Sequence, residues 1–160
     1  MEHFCDLLQH SSWIIALDSS IYISMFFEIC HYAGFFLLVG SIALVDLRVL
    51  GIAGRRQTAT AMAGQLFPWM WVGLIFAGIS GFFMFAADAV DFYSASFFRL
   101  KMLVLLIALA VGIAVEWQVP RWDRKPSISA GAKAVALISL LLWLATILVA
   151  LEVPAINGVG

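Results

Sequence analysis

An acid and an imidazole lie one helical turn apart in an otherwise apolar stretch of the sequence. Glu28 and His31 are the ionisable residues of the run from position 21 to position 45. A charged side chain at the centre of a membrane helix costs about 2.5–3.5 kcal/mol on insertion scales. Such residues therefore face the bundle interior and find partners there. We expect both side chains to point inward, with His31 as a cofactor or metal ligand and Glu28 as its proton-handling neighbour.

Small residues gather where neighbouring helices would meet His31. Gly78 and Gly81 lie in the second apolar run, and Gly34 follows His31 by three residues. One interpretation is that they leave room for a flat cofactor, haem b or a quinone, beside the imidazole. The other is close helix packing, because small residues spaced along a membrane helix let two backbones approach.

The histidine count limits the haem hypothesis. The sequence contains His3, His10 and His31, and only His31 falls within an apolar run. A haem held by two histidines inside the bundle is therefore not available. A haem would need His10, a methionine such as Met84, a second subunit or an open axial position.

Copper is a further alternative, with His31, Cys30 and Met25 as candidate ligands. Cys30 and His31 are adjacent in sequence, so on a helix their side chains diverge by about 100°. This divergence weighs against one shared metal site.

The remaining charged residues of the apolar runs are predicted to form structural ion pairs. Glu28 has an alternative interpretation to proton handling, a buried ion pair with Lys101 or Arg99 near one end of the third run. Glu116 is expected to pair with Arg48 or Arg121 near the other end. Asp46 and Arg48 complete this predicted set.

The elements that must position these side chains are membrane helices. Hydrophobic residues make up 64% of the 160-residue chain and charged residues 12%, about half the charged share of a soluble domain. Four runs, at about 21–45, 66–87, 98–119 and 130–151, are long enough to cross about 30 Å of hydrocarbon. They must be helical, because lipid offers no partner for a bare backbone amide. The fold class is therefore all-α, a four-helix transmembrane bundle.

The segments outside the runs set the predicted organisation and orientation. Residues 1–20 form an amphipathic interfacial segment with a short helix, 21–152 the transmembrane domain, and 153–160 a C-terminal tail. Seven Lys and Arg residues fall in or beside the first and third loops, and two lie on the opposite side. The positive-inside rule then places both termini outside the cytoplasm. A net charge of −1 gives no footprint for nucleic acid.

Two stretches carry a family resemblance. The segments "HYAGFFLLVGSIALVDLRVLG" and "FPWMWVGLIFAGISGFFMFAADA" resemble the first and second spans of an uncharacterised bacterial four-helix membrane family, a domain of unknown function. The pattern is more distantly similar to the CopD copper-resistance and HemJ-like proteins, where a first-helix histidine is characteristic. Family members often carry a further histidine near the end of the third span, where this chain has Glu116 and Trp117.

The sequence therefore predicts a multi-pass protein of a bacterial inner membrane, in contact with lipid and with copies of itself or other membrane subunits. The leading hypothesis is a haem- or quinone-associated redox or anchor subunit of a larger electron-transport assembly. The alternatives are a purely structural or oligomerising protein and a copper-handling protein. The sequence has no catalytic triad, phosphate-binding loop or dinucleotide fingerprint, so we do not expect an enzyme acting on its own.

Overall fold

The computed structural model describes residues 2–124 and 127–156, and within these ranges every secondary-structure element is an α-helix. Four helices are long and apolar enough to cross a membrane, which confirms the predicted all-α membrane fold. The helices are α1 (Glu2–Gln9), α2 (Ser12–Asp18), α3 (Ile21–Leu50), α4 (Ala59–Ala87), α5 (Ala89–Ser94), α6 (Ser96–Trp122) and α7 (Ala130–Ile156).

The second membrane helix begins earlier than the hydropathy of its sequence indicates. Helix α4 starts at Ala59, whereas the predicted span begins at residue 66. The Thr58 hydroxyl accepts a hydrogen bond from the Ala61 amide at 3.1 Å, and an Asp123 carboxylate oxygen accepts one from the Thr60 amide at 3.1 Å. These acceptors satisfy amides that a helix start leaves unpaired. The helix therefore extends beyond the apolar run.

Helix α3 ends at a glycine. Gly51 has φ +80°, a left-handed conformation that only glycine adopts without strain. The Gly51 amide bonds to the Arg48 carbonyl at 3.0 Å, and the Ile52 amide bonds to the Leu47 carbonyl at 3.0 Å. These bonds satisfy the last carbonyls of the helix and turn the chain toward α4.

The four long helices form a ring in the order α4, α3, α7, α6. Helix α3 packs most closely against α4 and also contacts α7, α6 packs against α7, and α4 closes lightly on α6. The buried apolar core lies in the half of the bundle that contains Ile42, Val45, Phe67, Val115 and Trp143. Large apolar side chains elsewhere on the long helices are exposed, as expected for surfaces that contact lipid.

The two ends of the bundle differ in charge, and we call them the acidic and basic ends. The basic end comprises the 51–58 connection and, within the described residues, positions 123–124 and 127–129. At the acidic end, α1 packs on α4 and α5, and α2 packs on α3 and α4. The N-terminal segment thus contains two short helices, not the single helix predicted. The Gln9 side-chain oxygen accepts a hydrogen bond from the Val90 amide at 3.1 Å and so ties α1 to α5. Residues 157–160 of the predicted tail lie outside the described residues.

Candidate functional site

His31 turns from α3 toward α4, as the sequence predicts. Its Nδ1 atom lies 2.9 Å from the Ala77 carbonyl oxygen. A carbonyl oxygen can only accept, so the ring proton lies on Nδ1 and the neutral ring keeps a lone pair on Nε2. The imidazole is half-buried. Its position is therefore fixed by one helix backbone, with one ring nitrogen left to act as an acceptor.

Gly81 provides the space that the imidazole occupies. A Cβ atom at residue 81 would lie 2.8 Å from His31 Cε1 and 3.0 Å from Nδ1. These distances are shorter than an ordinary carbon contact, so a larger residue would displace the ring. The structure thus brings Gly81 and His31 together as predicted from the sequence. The imidazole ring itself packs against Gly81.

Gly34 and Gly73 allow α3 and α4 to cross with their backbones in contact. A Cβ at Gly34 would lie 2.6 Å from the Ala77 amide nitrogen and 2.9 Å from the Gly73 carbonyl oxygen. A Cβ at Gly73 would lie 2.6 Å from the Gly34 carbonyl oxygen. Of the two interpretations of the small residues, close helix packing therefore accounts for the glycine at position 34. Gly78, in contrast, is exposed and nothing lies within 4 Å of its Cβ position, so it does not share the His31 contact.

Glu28 does not point into the bundle interior beside His31. It is exposed and lines a cleft of about 490 Å³ between α2, α3, α4 and α5 at the acidic end. Phe27, Phe83 and Met84 also line this cleft, and the Phe27 and Phe83 rings stack with centroids 4.4 Å apart. We call this feature the acidic cleft.

Two further carboxylates line the acidic cleft, Asp18 at the end of α2 and Asp88 at the end of α4. Burial raises the pKa of Asp88 above its ordinary value, and the neighbouring carboxylates of Asp18 and Asp91 add to the effect. The sequence signal that could have identified Asp18 and Asp88 is their position. Both lie next to ends of apolar runs that meet on the same side of the bundle. The cleft therefore combines aromatic walls with hydrogen-bond acceptors.

His31 lies one helical turn deeper than the cleft. Phe27 precedes it by four residues on α3, and Met84 follows Gly81 by three residues on α4. The two helices run in opposite directions. His31 on α3 and Gly81 on α4 therefore both lie one turn further into the bundle than the cleft residues Phe27 and Met84. His31 does not itself line the cleft. The imidazole holds together the helices that form the cleft floor.

None of the predicted ion pairs is found among the side chains that the structure describes, where the salt bridge present joins Asp6 and His10. Glu28 faces the cleft, Arg99 is exposed, and Lys101 is half-buried. Lys101 lies within electrostatic range of His31. The Glu28 side chain instead lies next to Tyr32, four residues further along α3, and lines the acidic cleft.

The charged residues near the basic end have partners other than those predicted. The Arg48 Nε atom donates to the Gln57 carbonyl oxygen at 2.6 Å, and so ties the 51–58 connection to α3. Glu116 accepts a hydrogen bond from Trp71 Nε1 at 3.4 Å. Both side chains therefore bond to groups on or next to α4.

Asp46 is fully buried, and neither of its carboxyl oxygens has a hydrogen-bond partner among the described residues. Ser139 of α7 lies next to it and is also fully buried, with its hydroxyl unpaired. The sequence placed Asp46 in an ion pair but gave no reason to single out Ser139, which is one serine in an apolar helix. Together they form a second polar site, far from the cleft.

The described residues do not favour a metal centre. Among the side chains that the structure describes, no group of three His, Cys, Asp or Glu residues has an arrangement that could hold a metal ion. Met25 lines the acidic cleft, whereas His31 is bonded to α4. The chemistry available to the cleft is therefore hydrogen bonding and proton acceptance.

The comparisons with known proteins identify a family for the chain. No curated protein and no solved structure matches the chain, so the similarity to the CopD and HemJ-like proteins stays a prediction. A model of one family, described as a family of unknown function (DUF6644), matches residues 11–153, from α2 through most of α7. The chain belongs to this family.

Proposed function

We propose that the chain is a small membrane subunit that binds the headgroup of a quinol in the acidic cleft, as part of a larger redox assembly. The observation that carries this proposal is the cleft itself, whose lining combines stacked phenylalanines with three carboxylates. Its volume of about 490 Å³ lies in the range of about 300–1,000 Å³ typical of small-molecule sites.

The polar groups of the cleft favour the reduced form of the ligand. An ionised carboxylate only accepts hydrogen bonds. A quinol hydroxyl can donate to Glu28, whereas a quinone carbonyl oxygen would be repelled by it. Phe27 and Phe83 would pack against the ring. When bound, a quinol supplies electrons and protons to a redox partner, and in this chain Glu28 and Asp88 would accept the hydroxyl hydrogen bonds.

A haem fits the same residues less well. Haem carries anionic propionates, and Asp18, Glu28 and Asp88 would place further negative charge around them. Met84 lines the cleft, but His31, the histidine on the membrane helices, lies outside its lining. The donor set therefore favours an uncharged ring with hydroxyl groups.

The excess of basic residues around the 51–58 and 123–129 segments supports the orientation of the subunit. We place the basic end in the cytoplasm of a bacterium by the positive-inside rule. The acidic cleft and both termini then face the outside of the inner membrane. Copies of the chain or other membrane subunits would cover part of the exposed apolar surface.

Tryptophan fluorescence provides a direct test. The Trp13 ring contacts Phe83 edge-on, with centroids 6.1 Å apart, so a quinol in the cleft should quench Trp13. We expect saturable quenching when a short-chain ubiquinol is titrated into the purified protein in detergent. Trp13→Phe should remove the saturable component. The matched control Trp117→Phe, at an exposed residue near the basic end, should retain it.

Glu28→Gln separates the proposed role from general hydrophobic binding. Loss of one hydrogen bond to a charged group should weaken quinol binding about tenfold. Quinone binding should strengthen, because the Gln amide can donate to a carbonyl oxygen that the carboxylate repels. The control His10→Ala, at an exposed residue that directly follows α1, should bind as the wild type does. Equal affinities of wild type and Glu28→Gln for quinol would overturn the proposal. A Soret band in the purified protein would replace it with a haem role.

A second candidate, a structural or oligomerising role, is favoured by the backbone contact at Gly34 and Gly73. This role predicts a colourless protein with no saturable quenching by either ligand.

A further inference from the structure

A buried polar pair without partners lies between α3 and α7. The Asp46 and Ser139 side chains are each 0% exposed. Both carboxyl oxygens of Asp46 and the hydroxyl oxygen of Ser139 lack hydrogen-bond partners in the described part of the chain. Buried polar groups in proteins are nearly always paired. Ser139 lies close enough to Asp46 to hydrogen-bond with it once the two side chains reorient, so the protonation state of Asp46 decides which hydrogen bonds the pair can make.

No cation among the described residues neutralises Asp46. No salt bridge to it occurs among the described residues. On α3, the half-buried Arg48 is bonded to the 51–58 connection. On α7, Lys133 is exposed, and on α6, Arg121 is exposed while Glu116 is an acid bonded to Trp71. The part of α4 that packs at this level, 59–70, has no ionisable residue.

The surroundings of the pair are mostly apolar, with one further polar atom: Nε1 of the buried Trp143 also lacks a hydrogen-bond partner among the described residues. Val45 and Val49 flank Asp46 on α3, Ala136 and Trp143 flank Ser139 on α7, and all are buried. An unpaired charge in such surroundings carries a large desolvation cost. A stable arrangement must therefore remove the negative charge of Asp46. It must also give hydrogen-bond partners to both carboxyl oxygens of Asp46 and to the Ser139 hydroxyl oxygen.

We propose that Asp46 and Ser139 form a proton-binding site, in which a neutral Asp46 carboxyl group donates to Ser139 and accepts from it. One added proton is enough for this arrangement. The carboxyl O–H donates to the serine oxygen, and the serine O–H donates to the other carboxyl oxygen. All three oxygens are then paired and no charge remains. Asp46 lies four residues from the end of α3 at Leu50, so the proton exchanges through the basic end.

Infrared spectroscopy of the purified full-length protein tests this site directly. A protonated carboxyl group gives a carbonyl stretching band above the amide I band, in a region otherwise nearly empty. We expect this band in the wild type near neutral pH and its loss in Asp46→Asn. Ser139→Ala should keep the band but move it to higher frequency, because the carbonyl loses its hydrogen-bond donor. This shift is a signature that a merely structural role of Ser139 would not produce.

Glu116→Gln is the matched control, because Glu116 also has a buried carboxyl oxygen without a partner. The band should persist in this variant. Absence of the band from the wild type, or its loss in Glu116→Gln but not in Asp46→Asn, would overturn the proposal.

The stability of the variants provides an independent measurement. While the folded state holds a proton that the unfolded state has released, the ratio of folded to unfolded protein falls tenfold for each unit of pH increase. Asp46→Asn resembles the neutral acid and should remove this component of the pH dependence. If sodium at constant ionic strength stabilises the wild type but not Asp46→Asn, the site holds sodium and the proton assignment is wrong.

Discussion

Replacing Gly34 by alanine should separate the two helices that form the candidate site. The added Cβ would lie 2.6 Å from the Ala77 amide nitrogen and 2.9 Å from the Gly73 carbonyl oxygen. Both atoms belong to the backbone of α4, so no side-chain rotation relieves the contact. An ordinary contact begins near 3.4 Å, so α4 must move by about 0.8 Å relative to α3.

The cost of this movement has two parts. Overpacking of a close contact costs about 1–3 kcal/mol. The same displacement lengthens the hydrogen bond from His31 to the Ala77 carbonyl, now 2.9 Å, and a bond of this kind contributes about 1 kcal/mol. Alanine is more stable than glycine within a helix, which offsets about 0.5–1 kcal/mol of the destabilisation. We expect a net destabilisation of about 2 kcal/mol.

Gly40→Ala is the matched control, because Gly40 lies on the same helix and nothing is within 4 Å of its Cβ position. It should be neutral or stabilising. Thermal unfolding in detergent, followed by circular dichroism, should place Gly34→Ala several degrees below the wild type, since about 2 kcal/mol corresponds to about 4–8 °C for a chain of this size. If Gly34→Ala and Gly40→Ala melt at the same temperature, the close crossing of α3 and α4 is wrong.

Two further predictions concern carboxylates at opposite ends of the bundle. Asp123→Ala should lower the free energy of unfolding by about 1 kcal/mol at pH 7, because it removes the acceptor for the Thr60 amide. Partial burial opposes ionisation, but hydrogen bonds from the Thr60, Ala59 and Thr58 groups outweigh it and lower the pKa of Asp123. The contribution is therefore present above the unfolded-state pKa near about 3.9 and lost as the pH falls through the lower folded-state pKa. A difference between variant and wild type that is as large at pH 2 as at pH 7 would contradict this account. Asp88→Asn should raise stability slightly, by no more than about 0.5 kcal/mol, because it relieves the burial and repulsion that raise the pKa of Asp88. A raised folded-state pKa costs stability as the pH increases, so the gain should appear at pH 7 and vanish near pH 3 in the same unfolding assay.

The membrane architecture could be predicted from the sequence because hydropathy acts over whole segments. Four apolar runs correspond to four helices that can cross a membrane, and no detail of packing is needed to find them. The start of α4 could not be found in this way. It depends on Thr58 and on Asp123, which is more than sixty residues away in sequence, and hydropathy carries no signal for such an acceptor.

The candidate site was predictable only in part, because helix rotation decides which neighbour each side chain meets. His31 and Glu28 are three residues apart and differ by about 60° around the helix. That angle directs His31 toward Ala77 and Glu28 into the acidic cleft. The sequence identifies the residues that need partners, but the partners themselves come from other helices.

The ionisable residues of α3 show three solutions to the problem of placing polar groups in an apolar helix. Glu28 lies in the cleft near the acidic end, where it can accept hydrogen bonds from a ligand or from water. His31 donates to a backbone carbonyl of α4, and Gly81 makes this possible by leaving space for the ring. Asp46 has neither a cleft nor a donor among the described residues. Because burial without a partner is the costliest arrangement, neutralisation by a proton is the solution left to Asp46, with Ser139 as the group that shares it.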